Sequence, residues 1–197
     1  MNRSFLSVPL CRVLMCAWAA VCSLGAEAAL QADGEYYIWL NIYEKVLGES
    51  EDGTAPALSE YGTNADSLSY VFVAEESGST GYVLLRQKSS GRYLAASSSN
   101  TWSVTLESTR GTTSRYCWKV EEGTYSYITN GKGPSTYLGI DGGQKSYSYV
   151  SVFYDKPKGS HAQMSIIPAV GNWDESRAAY ESGVYTMSRG QMKLTTA

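Results

Sequence analysis

The sequence predicts an all-β fold made of three four-stranded repeats, and three recurring strings carry the prediction. An aromatic opening strand occurs as Tyr36-Tyr37-Ile38, Tyr82-Val83-Leu84-Leu85 and Tyr125-Ser126-Tyr127-Ile128. A short strand with a central leucine and a small residue after it follows as Val46-Leu47-Gly48, Tyr93-Leu94-Ala95 and Tyr137-Leu138-Gly139. Each unit closes on Tyr70-Val71-Phe72, Tyr116-Cys117-Trp118 or Gln163-Met164-Ser165. The leucines lie 47 and 44 residues apart, and the closing triplets 46 and 47 apart. A unit of that length cannot bury its own apolar face and must pack on its siblings.

Unit one spans about 34–75, unit two 81–122 and unit three 123–168. Third strands complete them: Ala57-Leu58-Ser59-Glu60-Tyr61, Trp102-Ser103-Val104-Thr105-Leu106 and Val150-Ser151-Val152-Phe153-Tyr154 alternate as half-buried strands do. Turn chemistry separates the strands, at Glu51-Asp52-Gly53, Lys88-Ser89-Ser90-Gly91, Asn130-Gly131-Lys132-Gly133-Pro134 and Asp141-Gly142-Gly143. No stretch of these units keeps a helical period over three turns, so short strands at regular spacing point to a closed all-β form. Beyond 170 the pattern changes. Asn172 is an N-cap with acids in the turn after it, predicting a short helix, and 183–194 reads strand, turn, strand.

Three four-stranded units of about 45 residues resemble a β-trefoil, specifically its ricin B-type lectin branch, over roughly residues 34–169. The resemblance implies a six-stranded barrel with three hairpins capping one end. Such closure removes the free sheet edges that a disulfide-free β protein must avoid. The expected organisation is a signal peptide at 1–28, a β-trefoil domain at 29–169 and a C-terminal extension at 170–197. That extension is similar to the start of a Bacteroidetes-type C-terminal sorting tail, or to the first hairpin of a further domain. A truncated coding sequence is the third alternative.

The export reading rests on the first 28 residues. Arg3 and Arg12 flank an apolar run at 13–24, and Ala26-Glu27-Ala28 has the spacing of a signal-peptidase site. Twelve apolar residues fall short of the roughly 20 that span a bilayer, so no transmembrane segment is expected. Removing 1–28 leaves 14 basic and 18 acidic residues, which excludes the basic stripe of a nucleic-acid binder. Cys11, Cys16 and Cys22 leave with the signal, so Cys117 has no intramolecular partner and is expected as an inert interior thiol. The protein is expected in the periplasm, at the cell surface or outside the cell.

The sequence offers little for catalysis. His161 is the only histidine, which rules out sites built from two or three histidines, and no Gly-x-Ser-x-Gly elbow is present. It reads as a surface histidine in a turn. Glu49/Glu51 and Glu121/Glu122 fall in turn-like, solvated positions, and no phosphate loop, dinucleotide fingerprint or calcium loop occurs. No catalytic set, metal site or cofactor is expected.

Aromatic content is more informative. Sixteen tyrosines stand beside Trp39, Trp102, Trp118 and Trp173, and sugar rings stack on aromatic planes while their hydroxyls bond to carboxylates and amides. Tyr37, Tyr70, Tyr82, Tyr93, Tyr116, Tyr125 and Tyr137 recur at equivalent strand positions and are expected in the core or at the barrel rim. The lectin resemblance implies an Asp three residues after the second-strand leucine, an aromatic from the third-strand region and a closing Gln-x-Trp. Unit three matches with Asp141, Tyr147, Tyr149 and Gln163, Ser165 replacing the tryptophan. Unit two has Ser97 in place of the Asp and Trp102 in the stacking region, while unit one has Ser50. The expected function is an exported, non-catalytic carbohydrate-binding module whose partner is a glycan or polysaccharide. The alternatives are a trefoil that binds a protein, as protease inhibitors do, through its loops at 48–56 and 142–147, or an accessory N-terminal part of a longer secreted enzyme.

Overall fold

The structure, a computed structural model, describes residues 30–50, 53–59, 67–98, 103–121, 126–133, 135–140, 150–153, 159–182, 185–188 and 191–194. The segment expected as an export signal, 1–28, lies outside them. Unit one supplies β1 (Glu35–Leu40), β2 (Lys45–Glu49), β3 (Pro56–Ser59) and β4 (Phe72–Glu76). Unit two supplies β5 (Val83–Gln87), β6 (Tyr93–Ala96), β7 (Val104–Glu107) and β8 (Trp118–Glu121). Unit three supplies β9 (Tyr127–Asn130), β10 (Tyr137–Ile140), β11 (Val150–Phe153) and β12 (Met164–Pro168).

The first and fourth strands of the three units close on one another. Antiparallel pairs β1–β4, β4–β5, β5–β8 and β8–β9 run round a ring. β12 returns to β1 over five residue pairs, from Tyr36–Pro168 to Leu40–Met164. A bridge between Ser126 and Met164 completes the circuit, with the Met164 N–H donating to the Ser126 carbonyl at 3.0 Å. The remaining strands form the hairpins β2–β3, β6–β7 and β10–β11. These meet around the same axis, β3 against β7, β7 against β11 and β11 against β3. The Leu106 N–H donates to the Thr54 carbonyl at 2.8 Å, and Ser103 bridges Ser151.

Hairpin register converts the repeat into residue equivalences. Leu47 faces Leu58, Leu94 faces Leu106, and Leu138 faces Val152. All six belong to one core cluster, which also holds Ile38, Leu85 and Ile128 from the first strands and Phe72, Trp118 and Met164 from the fourth. The three repeat leucines are fully buried there. Each such side chain contributes about 1.5–3 kcal/mol when removed from water. One core made from equivalent positions of three modules is what the repeat predicts, and it excludes a two-layer sandwich.

The small residue after each leucine has a steric cause. A Cβ on Gly48 would lie 2.9 Å from the Tyr70 ring, and one on Gly139 would lie 3.0 Å from Phe153 and 3.1 Å from His161. In each case the chain before the fourth strand folds down onto the hairpin and leaves no room.

That segment corrects the sequence reading of the closing triplets as strand. Each fourth strand is preceded by a short 3-10 turn, at Ser67–Tyr70, Ser114–Tyr116 and Ser160–Ala162. Strand then begins at Phe72, Trp118 and Met164. The equivalent triplets are therefore Tyr70-Val71-Phe72, Tyr116-Cys117-Trp118 and Ala162-Gln163-Met164, both spacings being 46. Gln163 sits at the middle position rather than the first, and Met164, not Ser165, takes the tryptophan's place in the core. Next to Trp118, Cys117 is buried, its thiol donating to the Thr113 carbonyl at 3.7 Å.

The first two turns are clamped by the following unit. Buried Gln87 donates through Nε2 to the Ser69 carbonyl at 2.7 Å, and buried Asn130 through Nδ2 to the carbonyls of Arg115 and Cys117 at 3.0 and 3.2 Å. These polar side chains are buried because turn carbonyls, outside any sheet ladder, need donors.

Past the barrel, α1 (Trp173–Ser182) forms as the Asn172 cap predicts. The Asn172 side chain accepts from the Glu175 N–H at 3.0 Å, and Glu175 reaches back to the Asn172 N–H at 3.1 Å, a reciprocal capping box. Strands β13 (Tyr185–Ser188) and β14 (Gln191–Leu194) follow as the expected hairpin. Among the described residues no helix is long and apolar enough to cross a membrane.

Candidate functional site

Each unit presents an outer face where the 3-10 turn meets the hairpin, and the three faces carry different chemistry. In unit two the face is an ion-pair network. Arg115, in the turn, donates to both Glu107 oxygens at 2.7 and 2.6 Å and to the Ala96 carbonyl at 3.1 Å. Glu107, at the end of β7, also accepts from the Thr105 hydroxyl at 2.9 Å and from the Tyr116 hydroxyl. Four donors fill the two carboxylate oxygens. The Arg115 bonds, with those from Tyr116 and Thr105, outweigh burial and hold the carboxyl at about 2. The Tyr116 phenol is pushed up by burial and by its bond to Glu107.

The sign of the pH dependence follows from that depression. Glu107 contributes stability fully above the ordinary carboxylate range, about pH 4.5, and loses it as pH falls through about 2. Glu107→Gln is expected to cost about 1–2 kcal/mol at neutral pH, the pair being partly solvated. The variant's urea midpoint should also fall less between pH 5 and pH 2 than that of the wild type.

In unit three the corresponding residues are aromatic. Phe153 and His161 stand in the register of Glu107 and Arg115, eight residues apart in both units. Their rings lie 4.8 Å apart at 60°. Tyr137 stacks on Phe153 at 5.5 Å and 14°, and its hydroxyl lies 3.3 Å from His161 Nε2. Burial, then the nearby Tyr127, raise the Tyr137 phenol. Gly139 leaves the space this stack fills. His161 lies in a turn, as the sequence suggests, but is half-buried against Phe153 rather than standing on the surface. Thus a ring contact does in unit three what a salt bridge does in unit two.

At the far end of unit one's hairpin, the turn between β2 and β3 is closed by Ser50, whose side chain accepts from the Ala55 N–H at 3.2 Å. Between that turn and unit two lies an open cleft of about 350 Å³, lined by Thr54, Arg92, Leu106, Glu107, Ser108 and Thr109. Arg92 reaches across it to the Gly53 carbonyl.

Of the sequence-predicted site residues, Asp141, Tyr147, Tyr149 and Trp102 lie outside the described residues. So does the loop at 142–147. Gln163 is described: it is half-buried and ends the third 3-10 turn, its N–H donating to the Ser160 carbonyl at 3.2 Å. Phe153 and His161 as a pair were not anticipated. Their signal is the eight-residue spacing that they share with Glu107 and Arg115.

Neither a protein-family model nor a curated protein sequence matches the chain. Solved structures do. A Clostridium perfringens endo-β-galactosidase that releases GlcNAcα1-4Gal matches at TM-score 0.59 and 16% identity, over 68% of this chain and 32% of that one. The Macrolepiota procera ricin B-like lectin, solved with lactose, matches at TM-score 0.56 and 16% identity, over 69% of this chain and 96% of that one. The fold is a β-trefoil. A Polyporus squamosus lectin bound to the human-type influenza-binding epitope Neu5Acα2-6Galβ1-4GlcNAc matches this trefoil at TM-score 0.55 and 18% identity, over 70% of this chain and 50% of that one. The chain therefore spans about a third of the galactosidase and half of the Polyporus lectin.

Proposed function

We propose that this trefoil is an exported, non-catalytic carbohydrate-binding module whose glycan site lies on unit three. The observation that carries the reading is the Tyr137–Phe153–His161 stack, a largely buried aromatic support at the unit-three turn, where unit two has an ion pair. Asp141, the first residue after β10, supplies the acceptor for sugar hydroxyls, Tyr147 and Tyr149 the stacking planes, and Gln163 a further amide. Trp102 offers a second, weaker aromatic contact in unit two. The lectin neighbours support a glycan partner, since two of them were solved with bound sugars. Export rests on the signal-like residues 1–28, with the periplasm, cell surface or medium as destination. The galactosidase, of which the match covers 32%, favours a second reading, an accessory module beside a catalytic domain.

A glycan array probed with the mature protein and with Asp141→Ala tests the site. Loss of one charged hydrogen-bond acceptor should weaken binding by about 10–100-fold. A protein that is folded by circular dichroism yet ignores every glycan offered overturns the reading.

A further inference from the structure

We infer that the cleft between unit one's hairpin turn and unit two is a second binding site, which takes a sugar acid and holds its carboxylate on Arg92. The inference goes beyond the unit-three reading and does not depend on it. The cleft lies between modules. Its walls are Thr54 from unit one and Arg92 with 106–109 from unit two, and at about 350 Å³ it falls at the lower end of small-molecule sites. Ser50, the lectin-motif position of unit one, is not in its wall.

Arg92 stands apart in its partners. Among the described residues, Arg86 and Arg110 pair with Glu75, Arg115 with Glu107 and Arg177 with Glu181, while Arg92 has no carboxylate partner. One of its five N–H groups is used, on the Gly53 carbonyl. That contact pins the guanidinium against the turn, where Gly53 has a φ of +66° and a Cβ would lie 3.2 Å from Nη1. The Glu49 carboxylate, 3.6 Å from that same point, makes no ion pair with Arg92. The remaining donors form a planar fork that a carboxylate matches with both oxygens.

Glu107 brings a negative charge to the lining, but its oxygens are filled by Arg115, Tyr116 and Thr105. Arg92, Arg115 and Glu107 together leave one positive charge, which favours an anion. The rest of the lining suits a sugar ring rather than a bare ion. Ser108 and Thr109 are exposed, and their hydroxyls have no partner among the described residues, while Leu106 adds an apolar side chain beside them. Hydroxyls next to apolar surface match the mixed faces of a sugar. A main-chain bond joins the two walls, the Leu106 N–H donating to the Thr54 carbonyl at 2.8 Å, so the site is formed before ligand arrives.

The experiment is a titration of the protein with glucuronate, followed by backbone amide chemical shifts, with glucose and acetate as comparison probes. Glucuronate is expected to shift the amides of Gly53, Thr54 and 106–109 with a dissociation constant on the order of 1 mM, and glucose and acetate to bind at least about tenfold more weakly. Raising salt from about 0.05 to about 0.5 M should weaken glucuronate several-fold, because the contact is a charge pair. Arg92→Gln removes the charge but keeps an amide for the Gly53 carbonyl, and should lose about 10–100-fold. The inference is overturned if glucuronate leaves these amides unmoved, if glucose or acetate binds as tightly, or if folded Arg92→Gln keeps full affinity. Should that variant fail to fold, the three wild-type titrations decide alone. A glycan array that finds nothing for Asp141 overturns the unit-three reading and leaves this site standing.

Discussion

Trp118→Ala should lower stability by about 3–5 kcal/mol and the melting temperature by roughly 6–20 °C. The indole is fully buried in the central cluster, the largest side chain in it, among the fourth-strand equivalents Phe72 and Met164. Truncation leaves a cavity that a closed barrel cannot collapse into, because each wall strand is paired on both sides. A second loss adds to the first. Trp118 Nε1 donates to the Leu94 carbonyl at 2.9 Å, tying the barrel of unit two to its hairpin. Trp118→Phe keeps most of the volume and orphans only that carbonyl, so it should cost about 1–3 kcal/mol. Urea unfolding of both variants measures the split. If alanine and phenylalanine cost the same, packing is not what holds unit two to the axis.

The repeat was legible because apolar positions in a three-fold core recur by necessity. Leu47, Leu94 and Leu138 announce themselves, since any polar residue there would face the other two units. The 3-10 turns were not legible. Their residues, Ser67–Tyr70, Ser114–Tyr116 and Ser160–Ala162, share only an opening serine, and only two of the three end in an aromatic. With Ala162 in the place of Tyr70 and Tyr116, the glutamine beside it became the apparent motif residue, and the third triplet slipped by one. Burial settles the register: Met164 lies in the core with Phe72 and Trp118, whereas Gln163 is half-buried.

Site chemistry was harder to foresee than the fold for a related reason. The turn-to-hairpin contact is conserved in geometry across units two and three but not in residue type. Arg115 with Glu107 is a charge pair, while His161 with Phe153 is a ring contact. Residue types show no likeness between the units, and only strand register and the shared eight-residue spacing align them. The turn histidine also could not be told from a solvated one, since its burial comes from Phe153 and Tyr137, eight and 24 residues away.

Trp173→Ala should cost a further about 3–5 kcal/mol, an effect that places α1 inside the cooperative unit rather than in a tail. The helix has ten residues, too few to persist alone in water, so docking must stabilise it. Trp173 is buried against the outer face of unit one, 5.3 Å from Tyr37 edge-to-face and 5.0 Å from Trp39, with Val46, Tyr70 and Ile167 around it. Arg177, one turn on, sits over the other ring of this pair at 5.3 Å from the Trp39 centroid. The Tyr37 hydroxyl donates to the Gly171 carbonyl at 3.3 Å and fixes the approach. Unit two needs no such cover, because Arg86 and Tyr93 stand where unit one has Trp39 and Val46, and both bond to Glu75. Unit one is thus apolar on the outside for the sake of the helix. Losing the indole should undock it, expose Tyr37 and Trp39, and raise binding of a hydrophobic dye below the unfolding transition. A single unchanged urea transition with no dye signal would mean that the helix rests on the barrel without supporting it.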